Sequence, residues 1–306
     1  MGRRKKTTQN ECLPLEFPEQ TEAEAPEWEP EIKRIRRPIW TENKAKLIER
    51  YLYYFVLVTH HGNYIDGFAG PQEPENPDMW AAKLVLESEP RWLKQFFLFD
   101  LHRQQKVYLD ALKQEQPERD RQGRKLYRSI EIERGDFNVL VHNLLASGKV
   151  KPTQATFCLL DQRTFECHWS TVKALAEYKL ESKNKIELFY FLPVGWLGRA
   201  MAAQQDEQVL RDWWGGPDWT QLRQMREAEI VATFRRRFKR ELGYKSVKPW
   251  PIYERKGGNR VMYYMIHATD HDDAPMLMSR AYEKAVQPKE PLPGDLFEWK
   301  KLEEDV

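Results

Sequence analysis

The sequence predicts an α/β protein with a mostly parallel sheet and helices on both faces. Between residues 63 and 203, short apolar runs alternate with amphipathic stretches of helical length, which is the pattern of βαβ units. The runs QFFLFD and ELFYFLP are apolar almost throughout, as expected of parallel strands that are buried on both faces. After residue 245, two strand-like runs flank the turn signal KGGN, which predicts an antiparallel C-terminal hairpin.

The first elements are a flexible arm and a helix. Residues 1–38 are rich in Glu, Pro and basic residues and lack apolar periodicity, so we expect an N-terminal arm without stable structure. The folded domain is predicted to span residues 39–288, followed by a tail at 289–306. A helix is expected between Thr41, a suitable N-cap, and Gly62, because its apolar residues recur three and four positions apart.

Five strand–helix pairs are predicted next. The strands are NYIDGF, QFFLFD, SIEIERGD, ATFCLLD and KIELFYFLP, and the helices are MWAAKLVLES, RQQKVYLDALKQE, FNVLVHNLLASG, WSTVKALAEY and GWLGRAMAAQ. A helical insertion at about 205–245 is expected to contain one long helix over residues 218–242. The hairpin and a last helix, MLMSRAYEKA, complete the domain.

Composition excludes several classes of protein. Of the 306 residues, 41% are hydrophobic and 31% are charged, which indicates a globular protein with a charged surface. No apolar run reaches the roughly 20 residues that span a bilayer, and the charged N-terminus lacks the apolar core of a signal peptide. Three cysteines form neither a disulfide framework nor a metal-binding motif. We therefore expect a cytoplasmic protein with no membrane partner and no metal.

Acidic residues stand at the ends of the first four predicted strands. Asp66, Asp100, Asp136 and Asp161 end these strands or follow them closely. In an open α/β sheet, ligands bind in the crevice outside the carboxyl ends of the strands. If the four strands are neighbours, the four carboxylates meet at one rim. Each acid could instead cap the helix that follows it, and that alternative stays open at this stage.

The loop after the first strand favours a nucleoside without phosphates. Gly67, Phe68 and Gly70 follow Asp66, so a ligand could approach the backbone closely. Neither a complete G-x-G-x-x-G nor a P-loop motif is present. An acid ending the second strand can accept hydrogen bonds from both ribose hydroxyls. S-adenosylmethionine fits this pattern better than a nucleotide does.

Four segments, in order, resemble the three-Cys-motif partner family (TcmP). They are WTENKAKLIERYLYYF, like the family's leading helix; YIDGFAGPQ, like its YIDxFAGPG signature; LLDQRTFECHWSTVKALAE, like its LDPxG…WSTxxALA segment; and YYMIHATDHDDAPMLM, like its closing strand and DH turn. Together they cover about residues 40–285. The resemblance implies a Rossmann-like class I methyltransferase fold, S-adenosylmethionine as cofactor, and a radical-SAM-like partner protein with a three-cysteine motif.

Two departures from the family pattern concern the expected site. Gln72 replaces the last glycine of FAGPG, and DQRT replaces DPxG after the fourth strand. Asp161 is kept at that position, but the Pro-aromatic geometry that holds a planar amine in amino-methyltransferases is lost. Methylation of an exocyclic base amine is therefore not the expected reaction.

The first functional hypothesis is an S-adenosylmethionine-dependent methyltransferase whose acceptor could be a nucleic acid. Its cofactor-binding residues would be Asp66, Gly67, Phe68 and Gly70 in the loop, Asp100 at the ribose, Asp136 at the adenine amine and Phe137 against the ring. At the substrate side, Asp161 would accept a proton or orient the acceptor. Arg163 would hold a phosphate or carboxylate of the substrate, or else be a surface arginine.

Two alternatives come from other functional classes. The chain could be a non-catalytic binding or regulatory partner that keeps the fold, as Gln72 and the DQRT segment suggest. It could also be a nucleic-acid-binding module that uses its basic arm and the basic residues of FRRRFKR, at 234–240.

Overall fold

The computed structural model describes residues 39–179, 185–254 and 260–287. Its strands form one sheet in the order β1-β7-β8-β6-β5-β2-β3-β4. They are β1 (Ile39–Trp40), β2 (Asn63–Asp66), β3 (Gln95–Asp100), β4 (Ser129–Arg134), β5 (Thr156–Leu160), β6 (Glu187–Leu192), β7 (Ser246–Tyr253) and β8 (Val261–Thr269). Strands β2 to β6 run parallel, whereas β8 pairs antiparallel with both β6 and β7. The predicted Rossmann-like α/β fold with an antiparallel C-terminal hairpin is confirmed.

Alternate side chains of each strand enter two separate cores. On β3, Phe97 and Phe99 join one core, while Phe96 and Leu98 join the other. This follows from the two-residue period of a strand, which directs neighbouring side chains to opposite faces. Both faces are therefore buried, which is why the β3 sequence is apolar without alternation.

Helices cover both faces of the sheet. They are α1 (Lys44–Thr59), α2 (Ala81–Glu87), α3 (Arg103–Gln114), α4 (Phe137–Ala146), α5 (Trp169–Glu177), α6 (Leu197–Ala203), α7 (Glu207–Trp214), α8 (Glu227–Arg240) and α9 (Ala274–Lys284). Apolar residues of α1, α2, α3 and α9 form one core, and those of α4 to α8 form the other. No helix in the described ranges is long and apolar enough to cross a membrane.

The predicted long helix over residues 218–242 is wrong in one respect, because it is two helices. A 3-10 helix spans Pro217–Gln224, and α8 begins only at Glu227. Met225 between them has an extended backbone with ψ of 142°. The Glu229 carboxylate accepts a hydrogen bond from the backbone N–H of Arg226 at 2.6 Å, which favours a new helix start at this point.

Strand β7 contains Pro249 and Pro251, and within the described residues only the short strand β1 lies on its outer side. The two-residue strand β1, which the sequence did not predict, pairs only with Ile252 and Tyr253. Prolines are tolerated in such a position because the outer side of an edge strand needs no backbone donor.

The predicted arm at 1–38 and tail at 289–306 lie outside the described residues, as does the KGGN turn. The predicted domain boundaries therefore stay predictions.

Candidate functional site

The strand order brings the four predicted carboxylates to one rim. Strands β5, β2, β3 and β4 are consecutive neighbours. Asp66 and Asp100 are the last residues of β2 and β3, while Asp136 and Asp161 follow the ends of β4 and β5. Because these strands are parallel, their carboxyl ends lie on the same edge of the sheet.

Asp66 is buried and holds the loop that follows β2. Its Oδ2 accepts a hydrogen bond from the Tyr64 hydroxyl at 2.8 Å, and its Oδ1 accepts one from the Phe68 N–H at 3.1 Å. Burial raises the pKa of Asp66 to about 7, although both hydrogen bonds oppose that shift. Asp66 therefore orients the loop, and its proton is exchangeable near neutral pH.

Asp100 ties the same loop to β3. Its Oδ2 accepts a hydrogen bond from the Gly70 N–H at 3.1 Å, and its Oδ1 accepts one from the His102 N–H at 2.9 Å. A carboxylate has about four acceptor positions, so capacity for a ligand diol remains. A Cβ at Gly70 would lie 2.6 Å from Asp100 Oδ2 and 2.5 Å from Gln105 Cβ. Position 70 must therefore be glycine, because Asp100 and Gln105 lie too close to leave room for a Cβ.

Gly67 is required by an aromatic ring. A Cβ at this position would lie 2.7 Å from the ring of Phe137. Phe137 is largely buried and also packs against Phe99, with ring centroids 5.2 Å apart. Phe137, which was predicted to lie against the adenine ring, therefore lines the site, but most of its surface is buried in the core.

Asp136 caps helix α4, as the alternative interpretation of the strand-end acids proposed. Its Oδ1 accepts hydrogen bonds from the backbone N–H and the side-chain amide of Asn138, both at 2.9 Å. Asp136 is exposed. Both of these bonds use Oδ1, so neither of them prevents Oδ2 from accepting a hydrogen bond from a ligand amine.

Two neighbouring cavities open at this rim. The first, of about 610 Å³, contains Gly67, Asp100, Asp136 and Phe137 among its lining residues, and we call it the nucleoside cavity. The second, of about 380 Å³, extends from Asp66 towards helix α1, and we call it the α1 cavity. Residues common to both are Phe68, Gly70, Gln72, Asp161 and Arg163. The nucleoside cavity is of the size that small-molecule sites have.

Asp161 stands where the two cavities meet and is paired with Lys44. The Nζ of Lys44 lies 2.5 Å from Asp161 Oδ2, and both side chains are 11% exposed. Asp161 Oδ1 is shielded from solvent and has no hydrogen-bond partner in the described part of the chain. A buried charge that is only partly satisfied is costly, which marks this pair as more than a surface ion pair.

Lys44 is the main residue that the sequence analysis missed. It precedes Leu47 and Ile48 by three and four residues on α1, so it lies on the apolar stripe of that helix. A lysine on an otherwise buried helix face was the available signal.

Arg163 and Gln72 both line the two cavities. Arg163 is exposed, and no ion pair to it is found among the described residues. Gln72, the departure from the family glycine, is exposed beside the loop. Neither residue fills the nucleoside cavity.

The basic residues of α8 contribute less to a surface stripe than their sequence suggests. The Arg237 guanidinium lies 3.8 Å from the ring centroid of Trp169 and 4.1 Å from that of Trp214, and it pairs with Glu241. Arg235 donates to the carbonyl of Val247 at 3.2 Å. These two arginines pack the helix against its neighbours.

Another cavity, of about 980 Å³, lies at the opposite edge of the sheet. Its two lysines are bound by protein atoms: Lys179 Nζ donates to Thr156 Oγ1 at 2.9 Å and to the carbonyl of Gln154, and Lys185 Nζ donates to the carbonyl of Leu242. Lys179 and Lys185 also flank residues outside the described ranges. Size alone therefore does not make this cavity the site, and the carboxylate with an unpartnered buried oxygen among the described residues, Asp161, lies at the carboxyl edge.

Comparison with known proteins gives fold-level similarity only. The chain matches no protein-family model, and no curated protein matches it. Among solved structures, the methyltransferase domain of bacterial CtHen1-CN has a TM-score of 0.41 and 12% identity, and the match covers 74% of this chain and 99% of that one. The methyltransferase domain of bacterial CtHen1-C has a TM-score of 0.38 and 14% identity, with 73% of this chain and 98% of that one covered. At these values the similarity assigns neither family nor activity.

Proposed function

We propose that the protein is an S-adenosylmethionine-dependent methyltransferase that uses the rim of the sheet at β2 to β5. The observation that carries this proposal is the nucleoside cavity, where a glycine loop and two strand-end carboxylates meet on three adjacent strands. The sequence resemblance to the three-Cys-motif partner family supports it independently. Membership of that family, and a partner with a three-cysteine motif, belong to the same proposal.

The residues present fit this cofactor. Gly67 and Gly70 let Phe137, Asp100 and Gln105 pack closely against the loop, and the loop backbone is held by carboxylates rather than by a phosphate-binding motif. Asp100 would accept hydrogen bonds from the ribose hydroxyls, and the Oδ2 of Asp136 would accept one from the adenine amine. Phe68 and Phe137 would pack against the nucleoside. The amino-acid end would extend past Asp66.

When bound, S-adenosylmethionine supplies an electrophilic methyl group: the acceptor's lone pair bonds to the methyl carbon as the carbon–sulfur bond breaks, and that bond's electron pair stays on sulfur. The contribution of this chain is mainly to hold acceptor and donor in line. Asp161, at the junction of the two cavities, would orient the acceptor or take its proton. Arg163 would bind an anionic group of the substrate.

Calorimetric titration with S-adenosylmethionine tests the cofactor step. We expect binding that weakens about 10- to 100-fold in Asp100→Ala, because hydrogen bonds to a charged group contribute about 1.5–3 kcal/mol. Asp110→Ala is the matched control, since it removes a carboxylate from α3 that pairs with Lys106. Equal affinity in the two variants would remove the ribose role, and no binding by the wild type would remove the cofactor.

A non-catalytic binding protein is the second candidate. The observation that favours it is that Asp161 is engaged by Lys44, while the segment after it lacks the family's Pro and Gly. Transfer of tritium from a labelled donor to DNA, RNA or the partner protein distinguishes the two candidates. Cofactor binding without transfer to any of them would favour the binding protein.

A further inference from the structure

The α1 cavity has walls suited to an ammonium group. The Nζ of Lys44 lies 5.7 Å from the ring centroid of Phe191 and 5.6 Å from that of Tyr263. The ring of Trp196 stands 5.8 Å from that of Phe191 and 6.2 Å from that of Tyr263. Aromatic faces attract cations within about 6 Å of the ring centroid. With the Asp161 carboxylate, the rings of Phe191 and Tyr263 form what we call the ammonium box, and Trp196 packs against both rings.

The chemistry of the box is specific for a positive charge. Asp161 supplies one oxygen to Lys44, and its other oxygen is unpartnered within the described residues. Burial, and next the charge of Asp161, raise the pKa of Tyr263 well above its ordinary value, so its ring stays neutral. An uncharged planar base that displaced Lys44 would leave the carboxylate without a counter-charge, whereas an ammonium group in the place of Lys44 satisfies both the carboxylate and the rings.

We propose that the ammonium box is the methyl-acceptor subsite and that its ligand is a primary aliphatic amine, whose place Lys44 takes in this structure. The acceptor role rests on the proposed methyl transfer, whereas the affinity for an amine does not. Asp161 borders both cavities, so a nitrogen bound to it lies between the nucleoside cavity and the α1 cavity. An ammonium nitrogen must lose a proton before its lone pair can attack, and the unpartnered oxygen of Asp161 is the acceptor for that proton.

The first test measures amine binding without any cofactor. In Lys44→Ala the box loses its resident cation, so n-butylammonium should bind at least about tenfold more tightly than to the wild type, as measured by calorimetry and thermal shift. The neutral probe n-butanol and the variant Lys44→Ala/Asp161→Asn are the controls, and neither combination should reproduce the effect. If Lys44→Ala does not fold, Lys44→Gln takes its place, because its amide can still donate to Asp161.

Equal responses to butylammonium and butanol would show a merely apolar pocket and would overturn the proposal. Amine binding that is unchanged by Asp161→Asn would overturn it as well.

The second test measures acceptance of the methyl group. With S-adenosylmethionine shown to bind by calorimetry, labelled methyl should appear on n-butylamine in Lys44→Ala and not in the double variant. If the donor binds and no amine is methylated, the acceptor assignment fails, and the first test decides whether the box binds an amine. If the donor does not bind, the proposed function fails, and amine affinity alone still decides whether the box exists.

Discussion

Carboxylates at the two edges of the sheet differ in which groups bind their oxygens and in how completely the oxygens are hydrogen-bonded. At the amino edge, Glu187 has a partner for each oxygen: Tyr51 and His267 at Oε1, the latter at 2.9 Å, and Thr269 at Oε2, also at 2.9 Å. At the carboxyl edge, Asp66 and Asp100 are held largely by backbone N–H groups, and Asp161 keeps one oxygen unpartnered among the described residues.

The pKa values of Glu187 and Asp66 differ in the same way. Burial would raise the pKa of Glu187, but its contacts with His267, Tyr51 and Thr269 outweigh burial and hold the pKa below its ordinary value. Burial prevails at Asp66, whose pKa rises to about 7. A closed network fixes a charge for stability, whereas acceptors with spare capacity are what a ligand needs. The cavity of about 980 Å³ lies beside Glu187 at the amino edge, and we place the candidate site at the carboxyl edge.

The strongest test of this comparison is Glu187→Ala. Because it leaves three polar groups at the amino edge without their acceptor, we expect a loss of about 3–5 kcal/mol in the free energy of unfolding, measured by urea denaturation. Glu177→Ala removes an exposed carboxylate that lies 3.7 Å from Lys173 and should change stability by less than about 0.5 kcal/mol. If the two variants were equally stable, the amino edge would not be a structural network.

A second test uses the pH dependence of Asp66. Its folded pKa of about 7 exceeds the ordinary value of 3.8, so the folded state binds this proton more tightly than the unfolded state. The contribution is fully present below about pH 4 and is lost as pH rises to 7, by up to about 4 kcal/mol. Asp66→Asn, whose amide can serve both Tyr64 and Phe68, should lack this loss.

Urea denaturation at pH 4 to 8 measures this effect. The stability of Asp66→Asn relative to wild type should increase through that window and then level off. Asp78→Asn, at an exposed position, should run parallel to wild type. Parallel curves for both variants would mean that Asp66 ionises normally in the folded protein.

The smallest expected effect is the difference in stability between alanine substitutions at Gly70, in the site, and at Gly198, on α6. Gly70→Ala should cost about 1–3 kcal/mol and weaken cofactor binding, because its Cβ would clash with Asp100 and Gln105. Gly198→Ala on α6 meets nothing within 4 Å and should stabilise by about 0.5–1 kcal/mol. Thermal denaturation and calorimetry of both variants check this. Similar stability of the two would contradict the close packing of the loop.

The fold was predictable because its signals are local. Apolar runs such as QFFLFD report burial on both faces, and the convergence of Asp66, Asp100, Asp136 and Asp161 follows from parallel neighbours. The role of each acid was less accessible, since capping by Asp136 and loop support by Asp66 depend on local backbone geometry. The Lys44–Asp161 pair joins residues far apart in the chain, and no short-range pattern encodes such a pair.

Strand β7 also affects whether copies of this chain aggregate. Pro249 and Pro251 are two residues apart, so their nitrogens face the same side of the strand, and neither carries a hydrogen to offer. Among the described residues, β1 covers only Ile252 and Tyr253, and an uncovered strand side can recruit a foreign strand and seed aggregation. The prolines make that margin a poor template, so the protein should stay dispersed at concentrations where an unprotected sheet would precipitate.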